Sequence, residues 1–175
     1  MHLLIDVKVL SIKILTPNNF GVFLNQMRLT LYTDYSLRVL LYLAGSGDRI
    51  VTITELADFY KISRNHLVKV VHELGLSGYI LTSRGKRGGI KLARPADQIV
   101  IGAVVRQTEP DFDLLECLNP AVDQCVITNV CKLKSVLFGA RDSFLGEMDK
   151  YTLADLTGAA VKKSPAFKSI PVVHG

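Results

Sequence analysis

Disulfide chemistry has little to work with in this chain. Its 175 residues include only three cysteines, Cys117, Cys125 and Cys131, all on one short stretch. An odd count at close spacing, with no basic start or small-residue cleavage site of a signal peptide, excludes a secreted disulfide framework. Long hydrophobic runs are also missing. None approaches the roughly 18 apolar residues of a membrane span, so the chain reads as cytoplasmic and without a membrane partner. There is no phosphate loop, nucleophile elbow or paired-carboxylate motif. Only four histidines occur, and the two inside the patterned region, His66 and His72, share one helix, which leaves a catalytic cysteine without a base. The chain does not read as an enzyme.

What is present is a globular composition, 49% hydrophobic and 21% charged, large enough for one good core with a helical extension. The charge is uneven. Residues 27–94 carry eleven Lys/Arg against five Asp/Glu, and residues 95–175 carry eight against ten. A basic half followed by a mildly acidic half suits a nucleic-acid-binding region joined to a sensing or assembly region. Residues 1–26 alternate like a strand with nothing local to pair with. We expect them to be a non-native extension, with Met27 as the native start.

From Met27 onward the periodicity is helical. Thr33 to Ser36 opens a first helix with Leu37, Leu40, Leu41 and Ala44 on one face, stopped by Gly45 and Gly47. Thr52-Ile53-Thr54-Glu55 has the pattern of a capping box and starts a short helix carrying Leu56, Ala57 and Tyr60. A tight turn through Lys61 and Ile62 leads to Ser63, a candidate cap for a helix over about 64–74. On that helix Leu67, Val70, Val71 and Leu74 face inward, and Arg64, Asn65, His66 and Lys69 lie outside. Two helices joined by a short turn, the second with donors near its N-terminus, describe a helix-turn-helix. Ser63, Arg64, Asn65, His66 and Lys69 are the candidate DNA-reading residues, since such side chains match the donor and acceptor edges of the major groove.

Two short apolar stretches, Tyr79 to Thr82 and Ile90 to Leu92, flank a glycine-rich turn with three cations, Arg84, Lys86 and Arg87. Such cations repel one another unless an anion is near. The pattern predicts a wing, a hairpin whose tip follows the DNA backbone or enters the minor groove. Another helix is expected from Ile99 to Glu109, with Val100, Val104 and Val105 buried. A cysteine-bearing loop rich in Asn, Asp and Pro follows. Then Leu133, Leu137, Ala140, Phe144, Met148 and Tyr151 recur at helical spacing over about 133–151. This apolar stripe could pack on its own chain or on a second copy, and the two-fold sites of helix-turn-helix proteins favour the second copy. The expected fold is mostly α, a winged helix-turn-helix with a small hairpin and a long dimerisation helix. The expected parts are 27–95 for DNA binding, 96–132 for a helix and the cysteine loop, 133–157 for dimerisation, and a disordered tail over 158–175.

Three thiols in one polar loop are poorly placed as inert core cysteines. A redox disulfide would leave one over. Structural zinc wants four Cys/His ligands, usually with a Cys-x-x-Cys pair, and neither a pair nor a nearby histidine is present. An iron–sulfur cluster tolerates wider spacing and accepts a non-cysteine ligand, so chemistry favours the cluster over zinc.

Taken together, the Met27 to Arg38 segment, the capping-box helix, the Ser63 to Leu74 helix, the wing from Arg84 to Gly89 and the three-cysteine loop resemble the Rrf-two family of winged-helix iron–sulfur regulators, over about residues 27–157. The likeness is strongest to the nitric-oxide-sensing branch. It implies a homodimer that binds double-stranded DNA at a palindromic operator, is released by nitric oxide, and so derepresses nitric-oxide detoxification genes. It also implies a fourth cluster ligand, an aspartate near the start of the first helix supplied by the partner subunit, and Asp34 matches that position. The branch that regulates cluster biogenesis uses a histidine after the third cysteine, where this chain has Lys132, Leu133 and Lys134. A four-iron cluster is favoured and a two-iron cluster is possible, because the interval between Cys117 and Cys125 is longer than in most relatives. The alternatives are an iron–sulfur-status or thiol-redox regulator of the same family, or a zinc-stabilised winged-helix repressor.

Overall fold

A computed structural model describes residues 28–85 and 88–158. The expectations for residues 1–26 and for most of the tail, with Lys86 and Arg87 at the wing tip, lie outside the described residues.

Helix α1 spans Leu31–Gly45. It starts two residues before the expected Thr33, because Thr30 is the residue whose hydroxyl accepts the Thr33 N–H at 3.2 Å. Its deepest face is Val39, Leu40, Tyr42 and Leu43, displaced from the expected stripe, of which Leu37, Leu41 and Ala44 are half-buried. Two small polar residues, Thr33 and Ser36, are also fully buried on α1. Ser36 satisfies its hydroxyl internally by donating to the Tyr32 carbonyl at 2.8 Å. Such back-bonding lets a polar residue sit inside a helix contact without an unmet donor.

Helix α2 (Ile53–Tyr60) begins as predicted, with the Thr52 hydroxyl accepting the Glu55 N–H. It ends at Lys61, which takes a left-handed φ of 56°, the αL turn that ends many helices. Helix α3 (Arg64–Leu76) follows, with Leu67, Val70, Val71 and Leu74 buried. Ser63 does occupy its N-cap position, but the hydroxyl makes no capping hydrogen bond.

The hairpin forms from β1 (Ile80–Ser83) and β2 (Gly89–Leu92), antiparallel with Ile80 opposite Leu92. Val51 extends it by a two-bond bridge to Ile90. Gly89 permits this approach, since a Cβ there would meet the Val51 carbonyl oxygen at 2.5 Å.

After a 3₁₀ turn at Ala96–Gln98, helix α4 covers Ile101–Thr108. It is shorter than expected. Val104 and Val105 are buried, whereas Val100 is half-buried, because it precedes the helix and bridges to Thr152 in extended backbone. The cysteine loop follows. Helix α5 (Lys132–Met148) and the short α6 (Leu153–Leu156) complete the described chain. Helix α6 is capped by a full Thr152–Asp155 box and tied back through Leu153 N–H to the Ile99 carbonyl at 2.8 Å.

One hydrophobic cluster runs from Val39 through α2, α3, the hairpin and α4 to Leu153. Helix α1 packs against α3, α4 and α6 together. α5 is held to α4 by a bidentate pair between Arg106 and Asp149, at 2.6 and 2.7 Å. Gly102 makes room for it, since any side chain there would collide with the Asp149 carboxylate.

The wing side of the core carries one polar knot. The Tyr42 hydroxyl donates to Glu55 at 2.6 Å, and Arg49 donates to both Glu55 oxygens. Burial pushes Glu55 up, but the Arg49 and Tyr42 hydrogen bonds outweigh it and hold the carboxyl below its ordinary value. A depressed carboxyl contributes stability that is present at neutral pH and is lost as pH falls through the folded pKa. Wild-type stability should therefore decline on acidification below the usual glutamate range. Glu55→Gln should be less stable at neutral pH and show a flatter acid limb, read as thermal midpoint against pH by circular dichroism.

Candidate nucleic-acid interface and metal centre

Arg64, Asn65, His66 and Lys69 are all exposed on the N-terminal half of α3, and Ser63 is exposed just before it. The apolar half of α3 fills the core, so the turn through Lys61 and Ile62 dictates which side faces out. Tyr35 of α1 lies beside this surface, its ring centroid 6.2 Å from that of His66. Leu31, Tyr32, Tyr35, His66, Lys69 and Val70 line a shallow groove between α1 and α3. Arg84 is exposed at the end of β1. The donors of α3 and the cation of the hairpin thus stand on separate elements joined by the rigid core, as a reading helix and a flanking wing require.

Asp34 sits in the first turn of α1 and is half-exposed. Both its oxygens are engaged by Arg38 one turn on, Oδ1 by Nε at 2.9 Å and Oδ2 by Nη2 at 2.8 Å. The Arg38 guanidinium also lies 5.9 Å from the Tyr60 ring centroid. Sequence reading passed over Arg38, although the four-residue spacing of opposite charges on a helix was a usable signal. A metal that takes Asp34 must compete with this pair.

The three cysteines carry free thiols. Cys117 is half-buried in a 3₁₀ turn at Glu116–Leu118, fastened by the buried Leu118. Cys125 is exposed, and Cys131 is half-buried at the N-cap of α5. Cys117 and Cys125 share an open groove with Asp113, Leu114, Leu115 and Glu116. The long first interval is taken up by a turn in which the Asn119 carbonyl accepts the N–H groups of Val122 and Asp123, and the Asn119 side chain accepts that of Ala121. Asp123, Thr128 and Lys134 brace the second interval and were not singled out from sequence. The Asp-x-Cys spacing of an Asx turn was the one local hint.

Among the described residues, no three Cys, His, Asp or Glu side chains converge on a point that could hold one metal ion. A single zinc needs its ligands at about 2.0–2.3 Å from one centre. A cluster offers several irons, each able to take its own thiolate. Three free thiols on one loop, two of them on a common groove, are donors of the kind an iron–sulfur cluster takes. Cys117, Cys125 and Cys131 would hold it.

The profile of the Rrf2 family, described as an iron-dependent transcriptional regulator, matches residues 29–159. The HTH-type transcriptional regulator NsrR of Bacillus licheniformis is 49% identical over 131 residues, 74% of this chain and 92% of that protein. NsrR of Bacillus subtilis is 50% identical over the same length and 90% covered. In three dimensions, the chain resembles CymR, the global cysteine regulator of B. subtilis, with a TM-score of 0.61 at 21% identity, over 75% of this chain and 97% of that one. It resembles T. potens IscR with a TM-score of 0.60 at 24% identity, over 74% and 85%. These structural likenesses concern the fold.

Arg64→Ala should weaken binding to a specific operator by about 1–3 kcal/mol and relax its sequence preference. Arg84→Ala should weaken all DNA similarly and lower the salt slope by about one unit. Fluorescence anisotropy against salt distinguishes the two.

Proposed function

The chain belongs to the Rrf2 family of transcriptional regulators, and on that footing we propose that it is a nitric-oxide-responsive repressor that holds an iron–sulfur cluster and works as a homodimer in the cytoplasm. The carrying observation is the trio of free thiols on one loop, joined to a helix-turn-helix chain half-identical to NsrR proteins along nearly their whole length.

Each part of the molecule has a role in this reading. Ser63, Arg64, Asn65, His66 and Lys69 read an operator half-site in the major groove, and Arg84, Lys86 and Arg87 grip the backbone beside it. Helix α5 supplies the contact with the second copy. Of its apolar residues, only Leu145 is buried, while Leu133, Val136 and Phe144 remain 57%, 64% and 43% exposed. Tyr151, expected on the stripe, lies beyond the helix end and is exposed. An uncovered row of this kind on a long helix suits a self-complementary interface, and two-fold pairing matches a palindromic operator.

Cys117, Cys125 and Cys131 bind the cluster on one protomer, and Asp34 completes it from the other. When bound, the cluster supplies irons that react with nitric oxide. Asp34 is a hard carboxylate beside soft thiolates, and Arg38 stands ready to recapture it, so this ligand is the one most easily given up. Asp34 shares α1 with Tyr35, which touches the reading helix, so its release bears directly on the DNA surface. A four-iron cluster is favoured and a two-iron cluster remains the alternative form. Zinc is the second reading, disfavoured because the chain has no Cys-x-x-Cys pair and no histidine near the loop in sequence.

Anaerobically purified protein should be brown and contain iron and sulfide. Nitric oxide should bleach it and abolish operator binding. Colourless protein with stoichiometric zinc would refute the cluster, and operator binding indifferent to nitric oxide would refute the sensor. Leu133→Asp with Phe144→Asp should shift the protein from dimer to monomer in analytical ultracentrifugation and weaken palindrome binding by at least about tenfold.

A further inference from the structure

We propose that Asp123 is a positioning residue that, with Thr128 and Lys134, orders the backbone of the Cys125–Cys131 half of the loop before any metal arrives. This rests on reading the loop as a cluster site. Asp123 gathers three donors. Its Oδ1 accepts the backbone N–H of Cys125 at 3.0 Å, and its Oδ2 accepts the Thr128 hydroxyl at 2.7 Å and the Lys134 ammonium at 3.2 Å. Lys134 also donates to the Thr128 hydroxyl oxygen at 2.7 Å. One carboxylate thus ties the backbone of the second cysteine to the turn before the third and to the first turn of α5, whose N-cap is Cys131 itself.

The arrangement differs from a surface ion pair. The Asp123 and Lys134 side chains are only 12% and 23% exposed, so screening is reduced. The first half of the loop has no counterpart. Between Cys117 and Asp123 the hydrogen bonds are backbone turns and one Asn119 side-chain bond. The two halves meet at Asp123. The geometry therefore divides the loop into a braced segment, from Cys125 to Cys131, and a Cys117 anchored separately beside the buried Leu118. Ordering the backbone that carries two of the thiols removes ordering cost from metal binding, the role of outer-sphere partners at metal sites.

The test uses the reduced, full-length chain. Without metal, Asp123→Ala should speed amide hydrogen exchange at Cys125 and Thr128 severalfold, with exchange in α1 to α4 unchanged. After anaerobic iron and sulfide loading, the variant should release iron to a chelator roughly tenfold faster than wild type. Asp123→Asn, which keeps an oxygen for Cys125 but loses the charge for Lys134, should fall between. Lys134→Met should reproduce much of the effect and add little to Asp123→Ala. Unchanged exchange, or faster exchange with unchanged iron release, overturns the proposal. A wild-type chain that takes up no iron instead overturns the cluster reading, and iron content separates the two failures.

Discussion

Thr30 and Glu109 stand 79 residues apart and meet at one carboxylate oxygen. The Thr30 N–H and hydroxyl donate to Glu109 Oε1 at 2.8 and 3.1 Å, while the same hydroxyl caps α1. Glu109 is the residue at which α4 ends and the path to the cysteine loop begins. The root of the cysteine loop is therefore fastened to the start of the helix that carries Asp34, and that helix is buried along Val39, Leu40, Tyr42 and Leu43. A close-packed interior leaves little room for one of these elements to shift without the other. Tyr35, on the same helix, has its ring centroid 6.2 Å from that of His66 on α3.

The second constraint is that the two ends of α5 are held differently, its first turn only through Lys134 to Asp123 and Thr128 of the cysteine loop. Arg106, Asp149 and Leu145 hold its C-terminal part to α4 and the core, and α6 folds back through Leu153. In its N-terminal part, next to Cys131, Leu133 and Val136 stay in solvent. The cysteine loop and the uncovered Leu133 and Val136 are thus contiguous along the chain. In the reading offered above, that places the metal ligands at the edge of the subunit contact, where a ligand from a partner chain can reach them.

Much of the fold is legible in the residue order, because the signals act over short distances. The Thr52 cap, the inward set Leu67, Val70, Val71 and Leu74, and the glycine-bounded hairpin each follow from neighbours within about four residues. The same local logic misled where geometry intervened. Ser63 holds a cap position without using its hydroxyl, and Val100 was assigned to a helix when it forms a bridge to Thr152. The Thr152–Asp155 box was legible and was overlooked, since the tail gave no apolar run to announce a helix.

For the candidate site, sequence by itself determined the inventory: three thiols on one loop, an acid at the head of the first helix, and donors on the outer half of the third. It could do so because periodicity and spacing set which side chains share an element. Only the tertiary structure decided the partners. It gave both Asp34 oxygens to Arg38, made Asp123 the brace of the cysteine loop, set Tyr35 against His66, and left the N-terminal row of α5 uncovered. Those outcomes depend on the angles at which helices pack and on the path of the loop, and both come from filling one shared core rather than from any stretch of residues alone.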